Sequence, residues 1–237
     1  MRKRKLRSPF KIILIILLSL GAIFLLLFFS VRYLTTSEYF KIKDSADYFA
    51  GKNIFKINLK KQAQRLGRLY PDYKRVVLKL LLPDEIIVNF IPRQAVALLR
   101  LSDRFYVDKQ GVLFRLAPGE DEHTQLPLII GLESRITNPC SGARYNENSL
   151  LVTLDFIDNL NKDKNLSQHL KIKEINLANT SNVFLFTSTD CKINFGSIDS
   201  LNKDLSILQR LISEINYDLV NLKYIDLRFR EPIVKYK

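Results

Sequence analysis

The chain reads as an α+β protein in three parts: a single N-terminal transmembrane helix, a small two-layer α/β domain, and a larger β-domain with a mixed sheet and covering helices. Three observations predict this. Ile12–Val31 runs for twenty residues without a charge. Leu59, Ala63, Leu66 and Tyr70 recur at steps of three and four, the period of a helix with one apolar face. Arg75–Phe90 and several later segments instead alternate with a period of two, as strands covered on one face do. The parts are a basic tail at 1–11, the spanning helix at 12–31, the small domain at 32–94 and the β-domain at 95–237.

The apolar run is long enough to span. Twenty helical residues at about 1.5 Å each cover about 30 Å, the hydrocarbon thickness of a bilayer. A cleavable signal peptide, the alternative, has an apolar region of about 7–15 residues followed by small residues at its cut site. Here "SVRYLTTSEY" comes next, with no cysteine for lipid attachment, so the run reads as an uncleaved anchor. The net charge of +13 is concentrated beside it: Arg2, Lys3, Arg4, Lys5, Arg7, Lys11 and Arg32 flank the run, leaving 30 basic against 24 acidic residues elsewhere. A nucleic-acid protein keeps its basic excess on the folded part, so none is expected as partner. Positive charge on the N-terminal side leaves residues 1–11 in the cytoplasm and exports the chain beyond Arg32.

In the small domain, Asn58 is placed to cap the amphipathic helix and Pro71 prevents its continuation. Lys60, Lys61, Gln64, Arg65 and Arg68 form its solvent side, with a grip on anionic lipid as the alternative use. Val76, Leu78, Leu80 and Leu82 share one strand face; Ile86, Val88 and Phe90 continue it after the turn at Pro83-Asp84, which predicts a hairpin. Tyr39–Lys43 and Ile54–Ile57 are short apolar runs separated by Gly51-Lys52-Asn53, and from these runs a further strand is expected ahead of the helix.

The β-domain begins with strands at Ala95–Leu101, Arg104–Val107, Val112–Leu116 and Leu126–Ile130, the last closed by Gly131. A helix near Ser149–Asn161 carries Leu150, Leu154 and Ile157 on one stripe. Strands come next at Ile172–Leu177, Val183–Thr187 and Cys191–Phe195. Ser197 then opens a helix lined by Ile198, Leu201, Leu205, Leu208, Ile212 and Ile215. At the end, Ile225, Leu227 and Phe229 alternate with Asp226, Arg228 and Arg230. Glu231-Pro232 turns the chain into Ile233–Tyr236, whose proline and lysines are the devices by which proteins protect a sheet edge.

Catalytic chemistry is hard to find. His123 and His169 have no HxxxH or CxxC pattern around them, and there is no GxSxG, GxxxxGK[ST] or glycine-rich phosphate loop. Cys140 in "NPCSGA" with His169 as its base is a weak nucleophile candidate, and the carboxylates of Asp84-Glu85 and "GEDEH" read as turn and loop residues. Cys140 and Cys191 are able to pair in an oxidising compartment, but Cys191 is explained well as a small buried hydrophobe, and that is the reading preferred. The expectation is no enzyme, no catalytic residue, no metal, no cofactor and no small-molecule substrate.

Several stretches, in order and spacing, carry a resemblance: "GKNIFKINL" (51–59), "YPDYKRVVLKLLLPDEIIVNFIPRQAVAL" (70–98), "YVDKQGVLF" (106–114), "LPLIIG" (126–131), "INFGSIDSLNKDLSIL" (193–208) and "YIDLRF" (224–229). Together they resemble the bacterial cell-division family FtsQ/DivIB over nearly the whole chain. The chain departs from the family pattern at "KDSADYFA", which is short for the family's first helix, and at Pro92, where the family commonly has glutamate. The resemblance implies a POTRA-like domain at 32–94 and an FtsQ-type β-domain at 95–237. It also implies a non-catalytic, single-pass scaffold of the division machinery in the cytoplasmic membrane at the septum. Partners would be FtsB and FtsL, bound by adding a strand to the C-terminal edge at Ile233, Val234, Lys235 and Tyr236. Arg228, able to pair with a partner carboxylate, and Phe229, alternatively core, would shape the adjoining surface. A POTRA-bearing accessory of another envelope system is the second reading.

Overall fold

Two separate apolar clusters make the chain fold in two places. In the computed structural model, which describes residues 9–36, 49–116, 125–215 and 219–237, the compact units are Met1–Pro92 and Arg93–Lys237.

The first unit opens with α1 (Pro9–Phe28), twenty residues rich in Leu and Ile, whose described side chains stand exposed. Among the described residues no helix is long and apolar enough to cross a membrane. The helix also stops short of the expected limit. Phe29 and Val31 leave it to join the folded core, where Val31 is 3% exposed. The next elements are β1 (Tyr33–Thr36), a 3-10 turn (Ile54–Lys56), α2 (Leu59–Leu69), β2 (Tyr73–Leu81) and β3 (Glu85–Pro92). The sheet order is β1-β3-β2, with β1 parallel and β2 antiparallel to β3.

The helix and hairpin match their sequence patterns. The Asn58 side chain accepts from the Lys61 amide at 2.9 Å, Leu66 is buried, and Leu59, Ala63 and Tyr70 pack against the core. Ile86, Val88 and Phe90 are buried opposite Val76 and Leu78, and a register shift near Tyr73 turns that ring inward as well. Three expectations differ. Ile54–Ile57 is not a strand: Asn53 accepts from the Phe55 amide and curls the segment into a turn around the fully buried Ile54. The strand beside β3 is "YLTT", too short and too weakly alternating to show in the sequence. Leu82 is 58% exposed, because it belongs to the turn rather than to the strand face. Tyr39–Lys43 and most of "KDSADYFA" lie outside the described residues.

The second unit holds β4 (Ala95–Arg100), β5 (Arg104–Asp108), β6 (Leu113–Phe114), β7 (Leu128–Ile130), α3 (Asn148–Lys162), α4 (Lys164–His169), β8 (Ile172–Asn176), β9 (Val183–Thr187), β10 (Lys192–Gly196), α5 (Leu201–Glu214), β11 (Leu222–Asp226) and β12 (Ile233–Tyr236). One mixed sheet runs β12-β11-β10-β9-β8-β7-β4-β5-β6, parallel at β10–β11, β7–β8 and β4–β7. Leu150, Leu154 and Ile157 of α3 and Leu201, Leu208 and Ile212 of α5 share a core with the inner face of this sheet. The short helix α4 was not expected. Asp163 ends α3 and caps α4 at once, accepting from the Asn165 and Leu166 amides at 3.0 Å. Near the unit's start, Arg93 meets Asp108 at 2.8 Å, both largely buried, and Asp108 also accepts from the Gln110 and Val112 amides of its turn.

Candidate functional site

The C-terminal edge is assembled from three strands. β11 lies parallel to β10, and its Leu222 and Ile225 are fully buried. β12 returns antiparallel, with Ile233 opposite Asp226, Val234 opposite Ile225, Lys235 opposite Tyr224 and Tyr236 opposite Leu222. It is the terminal strand, and on its outer side no strand among the described residues pairs with it. The extra residue at Lys223 falls in β11, so β12 itself stays regular. The Lys237 amide donates to the Asn221 carbonyl at 2.9 Å, which fixes the phase of the ladder. Inward and outward main-chain groups alternate along an antiparallel strand. Residues 233, 235 and 237 therefore turn N–H and C=O towards β11, while Val234 and Tyr236 direct theirs outwards.

Exposed apolar side chains cluster around this edge, beside the exposed charges of Arg230, Glu231, Lys235 and Lys237. Val234 is partly buried against the core, while Ile233 and Tyr236 stand 44% and 59% exposed. Val220 and Phe229 are 61% and 53% exposed. Among the described residues from Arg93 onward, these four are the large hydrophobics left exposed, and all fall in the last eighteen residues. Phe229 departs from the alternation that buries Ile225 and Leu227, because β11 ends at Asp226 and the chain is already turning.

Asp226 is the polar residue the alternation pattern missed. It is 5% exposed at the end of β11. The Arg228 Nη2 donates to Oδ2 at 2.6 Å, Nε to Oδ1 at 2.9 Å, and the Arg228 amide to Oδ1 at 3.1 Å. The Arg228 side-chain bond, outweighing desolvation, holds the Asp226 carboxyl below its ordinary range. Arg228, read from sequence as facing a partner carboxylate, thus grips one within its own chain while its guanidinium lies 5.9 Å from the Phe229 ring centroid. An acid two residues before an arginine was the signal available in "DLR".

The other candidates do not converge. His169 ends α4, with Nδ1 at 2.8 Å from the Asn165 carbonyl. Cys140 is exposed in a concavity lined by Leu101, Ser102, Glu133 and Ile136, without His169. Cys191 is buried and unpaired with Cys140; desolvation pushes its thiol up to about 11. Asp84 lies 3.9 Å from Arg32, and Glu85 accepts from the Thr35 hydroxyl. His123 and the rest of "GEDEH" lie outside the described residues, among which no group of three His, Cys, Asp or Glu is able to hold a metal ion.

The fold is that of a β-domain carrying an open terminal edge with an apolar rim, preceded by a small α/β unit and an apolar helix. Residues 97–228 match the family model for the C-terminal part of cell division protein FtsQ/DivIB, over half the chain, and the protein belongs to that family of cell-division proteins. It is 26% identical over 217 residues to cell division protein FtsQ of Geotalea daltonii, covering 89% of this chain and 76% of that protein. It is 23% identical over 236 residues to FtsQ of Syntrophotalea carbinolica, covering 92% and 81%. The family match stops at Arg228, before β12.

Proposed function

We propose that this protein is a non-catalytic, single-pass scaffold of the division machinery in the cytoplasmic membrane, and that β12 is where a strand of an FtsB-like partner, with FtsL, is added. α1 is the anchor in this reading, with the basic tail in the cytoplasm and both folded units outside. The POTRA-like first unit and the anchor contact other division proteins. One observation carries the proposal: the open edge of the nine-stranded sheet coincides with the exposed apolar side chains Val220, Phe229, Ile233 and Tyr236. An unpaired edge gives affinity through main-chain hydrogen bonds, and neighbouring side chains select which strand docks. Arg228, held by Asp226, shapes that surface beside Phe229.

The edge is tested by removing donors that face outwards only. Proline lacks an N–H and is tolerated on an edge strand when that N–H would face away from the sheet. Val234→Pro and Tyr236→Pro should leave thermal unfolding near that of the parent and lower capture of the FtsB/FtsL pair at least tenfold. Cells depleted of the protein should grow into long undivided filaments, rescued by the parent and not by the double proline variant. Full capture by a folded double variant removes the edge from the proposal; normal division on depletion removes the scaffold.

A further inference from the structure

We infer that the end of the first unit adjoining α1 is an interfacial foot, seated in the headgroup layer of the bilayer; this rests on the reading of α1 as the membrane anchor. The chain leaves the helix without a linker. The Ile54 amide donates to the Phe29 carbonyl at 2.8 Å, Gly51 to Val31 at 3.0 Å, and Val31 to Lys52 at 2.9 Å. Ser30 bridges Asn53, and the Arg32 amide donates to the Asp84 carbonyl. Two turns, 51–56 and 82–84, are thereby tied within a few residues of the last turn of α1.

These turns expose apolar side chains where a soluble fold has no use for them. Outside α1, the exposed large hydrophobics among the described residues of this unit are Tyr33, Phe55, Leu69, Leu81 and Leu82. Four sit at the α1 end, since β1 and β3 both start there and β2 finishes there. Leu69 alone is at the other end, beside Tyr70, whose ring meets Phe90. The apolar surface is continuous with the helix: Phe24 contacts Phe28, Phe28 contacts Phe29, and Phe29 contacts Phe55, with centroids 5.7, 5.3 and 5.2 Å apart. Cations alternate with these groups, Arg32, Lys52 and Lys56 all being exposed. Aromatic and leucine side chains at headgroup depth, with lysine and arginine reaching to phosphate, are how interfacial segments bind lipid. The charge agrees: residues 32–92 hold 12 basic and 6 acidic residues, and residues 93–237 hold 19 and 18. The occupant is therefore anionic lipid rather than a protein partner.

The chain contains no tryptophan, so Phe55→Trp introduces a single reporter. The full-length variant is reconstituted in phosphatidylglycerol/phosphatidylcholine nanodiscs whose acyl chains carry bromine near the glycerol or near the midplane. Shallow bromine should quench its emission at least twofold, more than deep bromine, and Leu82→Trp should behave alike. Leu69→Trp, about 16 Å farther along the sheet at roughly 3.3 Å per residue, should not be quenched. Emission from Phe55→Trp and Leu82→Trp indifferent to bromine in a chain that resists alkaline extraction overturns the foot alone, and leaves the surface to a protein occupant. A chain that alkaline carbonate strips from membranes removes the anchor, and the foot with it.

Discussion

Asp226 is buried where strand alternation would set it towards solvent, and Arg228 makes that position tolerable. The carboxyl is held below its ordinary range chiefly by the Arg228 side-chain hydrogen bond, so the folded state prefers the ionised form. A depressed carboxyl contributes stability above its unfolded value of about 4, and the contribution fades as pH falls from there through the folded value. Asp226→Asn should thus be less stable than the parent at pH 7, with the difference narrowing below about pH 4. Urea unfolding at pH 7, 4 and 3 measures it; a gap that persists unchanged at pH 3 assigns the effect to packing instead. The same pair explains a limit of sequence reading. Period two placed Asp226 and Arg228 together on the polar side, and nothing in the period says that the two side chains satisfy each other.

At the scale of elements, what was legible depended on local chemistry. The cap at Asn58, the turn at Pro83-Asp84 and the edge devices around Pro232 act within a few residues, and α2, the β2–β3 hairpin and terminal β12 all formed where they point. β1 and α4 are too short to show a period; β1 exists because β3 offers it a parallel partner, a contact some fifty residues away in sequence. Of the candidate site, the strand was legible, while the exposure of Val220 and Phe229 depends on where β11 stops. Glycines separate local from distant causes equally well. Gly67 lies inside α2 with nothing within 4 Å of an added Cβ, so Gly67→Ala should stabilise by about 0.5–1 kcal/mol through helix propensity. Gly131 comes directly after β7 at φ +88, and a Cβ there would stand 2.3 Å from the Ala178 nitrogen. Gly131→Ala should cost about 2–5 kcal/mol from strain and overlap together. Chemical denaturation of the two variants side by side decides it, since similar midpoints for both would mean the Gly131 turn relaxes freely.

At the scale of the whole molecule, the proposal makes a claim about sidedness that one side chain is able to test. In the proposed topology α1 is the anchor, with the basic tail before it and both folded units after it, and the positive-inside rule would then place residues beyond Arg32 on the outer side. The protein carries two thiols of opposite character. Cys140 is exposed in the second unit, whereas Cys191 is buried and its thiol is pushed up to about 11, which keeps it in the unreactive protonated form at neutral pH. A membrane-impermeant maleimide added to intact spheroplasts should therefore attach once per chain, and Cys140→Ser should abolish the label. Detergent should not raise the parent's labelling beyond that single addition while the fold is intact. Protection of Cys140 in spheroplasts, relieved only when the membrane is opened, would put the β-domain in the cytoplasm. The edge at β12 would then face a compartment in which an outward-facing partner strand has no access to it.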